Sequence, residues 1–229
     1  MSINKAGFQQ VSCKPTKVRN RVLQSVILVA VTHSNVKNIV LASSSPYRHA
    51  LLSRLNLPFQ SISPEIDETP LNNESPDALV SRLAYEKAFA IAKNIDNTVV
   101  IGSDQVATIN NQILTKPGNM ENATTQLLAC SGNNVTFYTS LCVVDTQKNN
   151  HQIVDTFTVG FRDLSIPQIK RYLEIEQPFD CAGSFKAEGM GITLFTHLSG
   201  RDPNSLIGLP LIQLTTILQE LGLDPLGEH

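Results

Sequence analysis

Short β-branched runs alternate with helical stretches from Asn38 almost to the end of the chain, and this pattern limits the possible folds most. Such alternation marks an α/β domain, in which helices cover the faces of a sheet. Ile39-Val40-Leu41-Ala42 reads as the first strand. Ser43-Ser44-Ser45-Pro46 then turns into a helix, because the Ser45 hydroxyl can cap free N–H groups and Pro46 suits the first helical position. A second short strand around Phe59 to Ile62 leads to an acidic loop, Glu65 to Pro70. After Ser75-Pro76, the residues Leu79, Val80, Leu83, Ala84, Ala88 and Ile91 fall on one face of a helix that Asn97 is expected to end. Thr98-Val99-Val100-Ile101 is a buried strand with Gly102-Ser103-Asp104 at its carboxyl end, where open α/β sheets place their ligands. Glu121 to Cys130 reads as a helix, and Val135 to Val144 and Ile153 to Phe161 as strands joined by a polar tip, Asp145 to Gln152. Ser165-Ile-Pro-Gln168 fits a capping box opening a helix to about Glu174, and Pro210 to Leu221 forms the last helix, closed by Gly222.

Composition narrows the function. The 229 residues are 41% hydrophobic and 17% charged, enough for a packed core in one domain, or in one domain with two lobes around a cleft. A formal charge of −2 gives no general footprint for a nucleic-acid polymer. The four cysteines, Cys13, Cys130, Cys142 and Cys181, form no CxxC pair, so reduced, mostly buried thiols are expected rather than a zinc site or a disulfide framework. No apolar run reaches the roughly 18 residues of a membrane span, and a cytoplasmic location is expected. In residues 1–37, Lys5, Lys14, Lys17, Arg19, Arg21 and Lys37 face no acidic residue. The apolar run Val22 to Val31 is interrupted by Gln24 and Ser25 and lacks a small-residue cleavage site, so a disordered or loosely docked extension is expected rather than an export signal.

Several residues look chemical. Ser43, Ser45 and Arg48 occupy a hydroxyl-rich strand-to-helix turn, where N–H groups, hydroxyls and a guanidinium can grip phosphate, although serine caps followed by arginine also occur without a ligand. Lys87 interrupts the apolar stripe of its helix, so its ammonium needs a partner or a ligand, or a path to water for its end. Asp104 stands where catalytic carboxylates sit in this fold class, though such an aspartate can also cap a turn. Asp67, Glu68 and Asp104 could hold a hard cation through oxygen. Lys116 offers a further cation, and the small-residue loop Cys181 to Gly189 around Lys186 and Glu188 lets backbone approach a ligand closely. Asp202 reads as a turn residue that pairs with Arg201 or caps the Asn204 region.

In order, Leu41-Ala-Ser-Ser-Ser-Pro-Tyr-Arg48, Asp67-Glu-Thr69, Glu86-Lys87-Ala88, Gly102-Ser-Asp-Gln105, Lys116-Pro117, Ser131-Gly132 with Val135-Thr136, and Cys181 to Pro210 resemble the Maf family of nucleotide pyrophosphatases, from about Ile39 to Leu223. The resemblance implies a mixed twisted sheet flanked by helices, with two lobes around a central cleft, of Maf/ITPase-like type. It implies Asp104 as proton acceptor, with Arg48, Lys87 and Lys116 neutralising a triphosphate. It also implies a divalent cation, Mg²⁺ or Mn²⁺, on Glu68 and Asp104, and a homodimer. Ser103-Asp-Gln105 and Phe185-Lys-Ala-Glu-Gly189 are similar to the YceF-type branch, whose preferred substrate is 7-methyl-GTP. That likeness gives Tyr47, Gln105 and Glu188 a bearing on base choice, with Ser43, Ser45 and Lys186 as further substrate contacts. Tyr47 departs from the tryptophan frequent in the branch. The alternatives are a pyrophosphatase for other nucleotides such as dTTP or UTP, and a nucleotide-binding regulator of cell division without turnover.

Overall fold

The computed structural model describes residues 38–110 and 112–227. The extension expected over 1–37, and Cys13 with it, lies outside the described residues.

Among the described residues, the sheet has seven strands: β1 (Asn38–Leu41), β2 (Gln60–Ser61), β3 (Thr98–Ile109), β4 (Gln112–Leu114), β5 (Asn134–Val144), β6 (Asn150–Phe161) and β7 (Phe195–Gly200). Their order is β2-β1-β3-β5-β6-β7, with β4 paired to β3. β1 runs parallel to β2 and β3, and every other pairing is antiparallel, so the sheet is mixed as expected. Among the described residues, six α-helices flank it: α1 (Pro46–Ser53), α2 (Pro76–Ala92), α3 (Met120–Cys130), α4 (Ile166–Glu176), α5 (Pro203–Ile207) and α6 (Leu211–Glu220).

β3 departs most from its expected form. It does not stop at Ile101 but continues to Ile109, so Asp104 lies in mid-strand rather than beyond a strand end. The reason is a change of partner. Thr98 to Ile101 pair in parallel with β1, whereas Val100 to Thr108 pair antiparallel with β5, whose long β-branched run extends the ladder. On the β1 side the next strand is β4, which meets β3 only from Ala107. Among the described residues, no strand covers Gly102 to Val106 on that edge, and a cleft opens there. The cleft thus lies beside a gap in one edge of the sheet rather than beyond a strand end.

Alternation along β3 sorts its side chains. Val100 faces α2 in a layer with Val40, Ala84, Ala88 and Cys142. Val99 and Ile101 face the other way, against Leu51, Leu52, Leu214 and Leu218 of α1 and α6. A third cluster beneath α3 and α4 carries Phe137, Phe161, Phe185 and Phe195. Their rings meet edge-on, Phe185 lying 5.0 Å from Phe195 between centroids.

Gly102 fixes how closely α2 approaches. A Cβ there would stand 2.3 Å from the Ala84 carbonyl oxygen and 2.8 Å from the Ala88 nitrogen, both helix backbone atoms that cannot swing aside. Gly102→Ala is therefore expected to push α2 outward and cost about 1–3 kcal/mol, the usual range for overpacking. Its denaturant midpoint should fall, and an unchanged midpoint would show that α2 yields freely.

Smaller boundaries shift. α2 ends at Ala92, and Asn97 follows it by several residues with a left-handed backbone, φ 49°. β6 begins at Asn150, which shortens the polar tip because Asp145 gathers the Gln147 and Asn149 amides into a tight turn. α4 has the expected capping box and runs on to Glu176. Ser45 caps α1 as expected, accepting from the Arg48 N–H at 3.4 Å. Cys130 and Cys142 are buried and free, with burial raising both thiols to about 12. Among the described residues, no helix is long and apolar enough to cross a membrane.

Candidate active site

The cleft at the open edge of β3 has a volume of about 520 Å³, within the range of small-ligand pockets. Every residue singled out for chemistry lines it except Asp67: Ser43, Ser45, Tyr47, Arg48, Glu68, Lys87, Asp104, Gln105, Lys116, Lys186 and Glu188. They come from the β1–α1 turn, the first turn of α1, the loop before α2, α2 itself, β3, the segment after β4 and the loop after α4.

At its heart is Lys87. Its position in the apolar face of α2 leaves it 6% exposed, and its ammonium needs compensation. Nζ donates to Asp104 Oδ1 at 2.7 Å and reaches Glu68 Oε1 at 2.8 Å. Asp104 is itself 6% exposed, whereas the Glu68 side chain extends toward solvent. One cation thus joins a buried carboxylate to an accessible one.

Arg48 and Lys116 stand close enough to act on the same group. Partial burial works to raise the Glu68 carboxyl, but the Lys87 hydrogen bond and the charges of Lys87, Lys116 and Arg48 outweigh it and hold the group below its usual range. Burial lowers the Arg48 guanidinium, while the charges of Asp104 and Glu68 oppose the shift. Arg48 Nε also donates to the Gly208 carbonyl at 2.9 Å, which aims the side chain along the cleft. Ser43 Oγ accepts from the Ser45 N–H at 3.1 Å, bending the β1–α1 turn so that both serines face the cleft.

Asp67 does not join them. Its Oδ1 accepts from the Thr69 N–H and hydroxyl, at 2.9 and 2.6 Å, so the carboxylate braces its own loop. The expected cation ligands reduce to Glu68 and Asp104. Among the described residues, no group of three or more His, Cys, Asp or Glu could hold a metal ion. Two carboxylates that meet at one ammonium nevertheless suit Mg²⁺, which takes one or two protein carboxylates and completes its shell with water and phosphate oxygen.

The other end of the cleft differs in chemistry. Tyr47 O–H donates to Asp180 Oδ2 at 3.3 Å, and burial followed by the Cys181 contact raises the phenol, which stays protonated. Cys181 Sγ lies 3.6 Å from the Tyr47 oxygen, and burial lifts its thiol to about 11. Phe137 and Phe185 give this end an apolar floor, and Glu188 sits exposed in its wall. Lys186 Nζ donates to the Glu176 carbonyl at the end of α4, at 3.1 Å. Phe137 was not singled out in the sequence, because an apolar residue in a strand looks the same whether it floors a cleft or fills a core, and Asp180 lies in a turn with no motif of its own. Asp202 caps the Asn204 region, as one of its two readings had it. Its carboxylate takes the Asn204 N–H at 2.8 Å and the Ile212 N–H at 2.7 Å, tying α5 to α6.

A cleft with a bridged lysine and carboxylate, further cations beside them and an apolar, aromatic end on a mixed α/β sheet has the chemistry to take an anion joined to a flat ring. The sequence places it more narrowly. Residues 38–221 match the model of the Maf-like protein family, and the chain belongs to that family. It is 52% identical to the 7-methyl-GTP pyrophosphatase of Colwellia psychrerythraea over 85% of this chain and 98% of that protein. The proteins of the same description from Nitrosococcus oceani and Alcanivorax borkumensis are 54% and 56% identical, over 80% of this chain and 93% and 94% of theirs.

Proposed function

We propose that residues 38–229 form a nucleoside triphosphate pyrophosphatase that hydrolyses 7-methyl-GTP to 7-methyl-GMP and pyrophosphate. The observation that carries this reading is the Lys87 ammonium held between Asp104 and Glu68 in a cleft that also holds Arg48 and Lys116. Relatives above 50% identity that bear this activity in their names support the choice of substrate.

Asp104 accepts the proton of the attacking water. Its bond to Lys87 fixes the direction of the carboxylate. Water adds at the α-phosphorus, the bond to the bridging oxygen of the β-phosphate breaks, and pyrophosphate leaves with the electron pair. Arg48, Lys87 and Lys116 neutralise the charge that builds on the leaving group, and Ser43 and Ser45 orient it. Glu68 and Asp104 would hold Mg²⁺ or Mn²⁺, which when bound supplies further neutralisation of phosphate charge. Lys186 serves as a further substrate contact. The site acts on a free nucleotide in the cytoplasm, as part of a homodimer.

Base choice follows from charge. Methylation at N7 makes the guanine ring cationic, so the Tyr47 face attracts it, and Glu188 favours it over a neutral base while accepting the N1–H and amine hydrogens. Glu188→Gln keeps the size of the side chain but removes the charge and replaces one acceptor oxygen with a donor NH2. Its preference for 7-methyl-GTP over GTP is expected to fall about tenfold, as measured by the ratio of kcat/KM values, consistent with the loss of one charge-assisted bond. The function itself is tested by pyrophosphate release from 7-methyl-GTP, GTP, UTP and dTTP with Mg²⁺ or Mn²⁺. Fastest release from 7-methyl-GTP is expected. Equal rates with GTP would overturn the specificity, and binding without release would overturn the enzyme.

A further inference from the structure

Gln105 is half-buried on β3 and faces the side opposite Asp104, toward α5. Its Nε2 donates to the Ser205 carbonyl at 2.6 Å, the Leu206 carbonyl at 3.2 Å and Thr139 Oγ1 at 3.0 Å. Two of these partners are backbone carbonyls, which only accept, so the amide cannot be turned end for end without setting oxygen against oxygen. Its two N–H groups are thereby committed to the protein. The polar atom left to Gln105 for the cleft it lines is Oε1, an acceptor.

The partners are themselves held. Thr139 on β5 pairs with Asp155 on β6, and Thr139 Oγ1 donates to the Ser205 carbonyl at 2.8 Å. Ser205 Oγ donates to Asp155 Oδ2. Asp155 is 7% exposed, Thr139 and Ser205 are fully buried, and the mechanism above uses none of the three. A buried carboxylate in a sheet is costly unless it is hydrogen-bonded, and the Ser205 hydroxyl supplies such a bond. Here it anchors α5 through one hydroxyl, and α5 presents carbonyls to the amide.

We infer that Asp155, Ser205 and Thr139 are positioning residues that lock the Gln105 amide with its oxygen toward the nucleotide, so that position 105 accepts hydrogen bonds from base N–H groups and donates none. The inference rests on the reading of the cleft as a nucleotide site, but not on which base it prefers. It assigns the relay to the base and not to the phosphates.

Ser205→Ala cuts the link to Asp155, and Thr139→Val removes a hydroxyl that contacts both the amide and the Ser205 carbonyl. Ser205→Thr, which keeps a hydroxyl, is the conservative control. Each is assayed for kcat and KM on 7-methyl-GTP, GTP, ITP and UTP, and for inhibition by inorganic tripolyphosphate, which has no base. For Ser205→Ala and Thr139→Val, the expected result is about a tenfold loss of discrimination among bases, carried by KM, the scale of one misdirected hydrogen bond. Tripolyphosphate inhibition stays as in the parent, and Ser205→Thr recovers the parent ranking. Unchanged discrimination in both variants overturns the inference. Equal losses toward nucleotides and tripolyphosphate also overturn it, because they show general loosening of the cleft. A parent that prefers some other nucleotide would sink the 7-methyl-GTP reading alone, since the change in ranking is measured on the same panel.

Discussion

Asp104→Asn should lose at least about a thousandfold in kcat while nucleotide affinity stays within a few-fold of the parent, in keeping with what a positioned general base contributes. The substitution keeps size and burial, and the amide oxygen can still accept from Lys87 Nζ, now 2.7 Å from Oδ1. What disappears is the capacity to take a proton from water. Single-turnover hydrolysis and equilibrium binding, measured on the same preparation, separate the two. A loss of affinity equal to the loss of rate would make Asp104 a binding group. Unchanged turnover would remove it from the chemistry.

Lys87→Met should damage both stability and rate. Methionine fits the apolar face that Leu83, Ala84 and Ala88 make on α2, so the helix itself should form. The ammonium's loss, however, leaves Asp104 buried at 6% exposure with its partner gone, and breaking a buried pair from one side typically costs about 3–5 kcal/mol. Turnover should fall by about a hundredfold or more, because the carboxylate loses the bond that directs it and the triphosphate loses one of its cations. Thermal unfolding and single-turnover hydrolysis check both parts. A variant as stable and as fast as the parent would show that Lys87 neither holds Asp104 nor serves the chemistry.

These outcomes depend on an arrangement that the sequence disclosed unevenly. Lys87 was visible because a charge on an apolar helical stripe demands compensation, and Asp104 was visible because it follows a β-branched run. That the two meet was not visible, since it requires α2 to lie on β3 at the distance set by Gly102. The mid-strand position of Asp104 escaped for a related reason. Gly102-Ser103-Asp104 has the composition of a turn, and only the long β5 ladder keeps it extended.

Asp67 parts from Glu68 because neighbours in a loop point in different directions, and Thr69 captures the first of them. The relay behind Gln105 left no local signal at all: Thr139, Asp155 and Ser205 are ordinary residues until three segments come together. Short elements such as β4 and β7 likewise lack a periodic pattern of their own and exist because a neighbouring edge is open to them.

The most direct test of the account is hydrolysis of 7-methyl-GTP in water enriched in oxygen-18, with both products analysed by mass. Attack at the α-phosphorus, assisted by Asp104 and drawn forward by Arg48, Lys87 and Lys116, puts the heavy oxygen in 7-methyl-GMP and leaves pyrophosphate unlabelled. Label in pyrophosphate, or release of orthophosphate in its place, would contradict it.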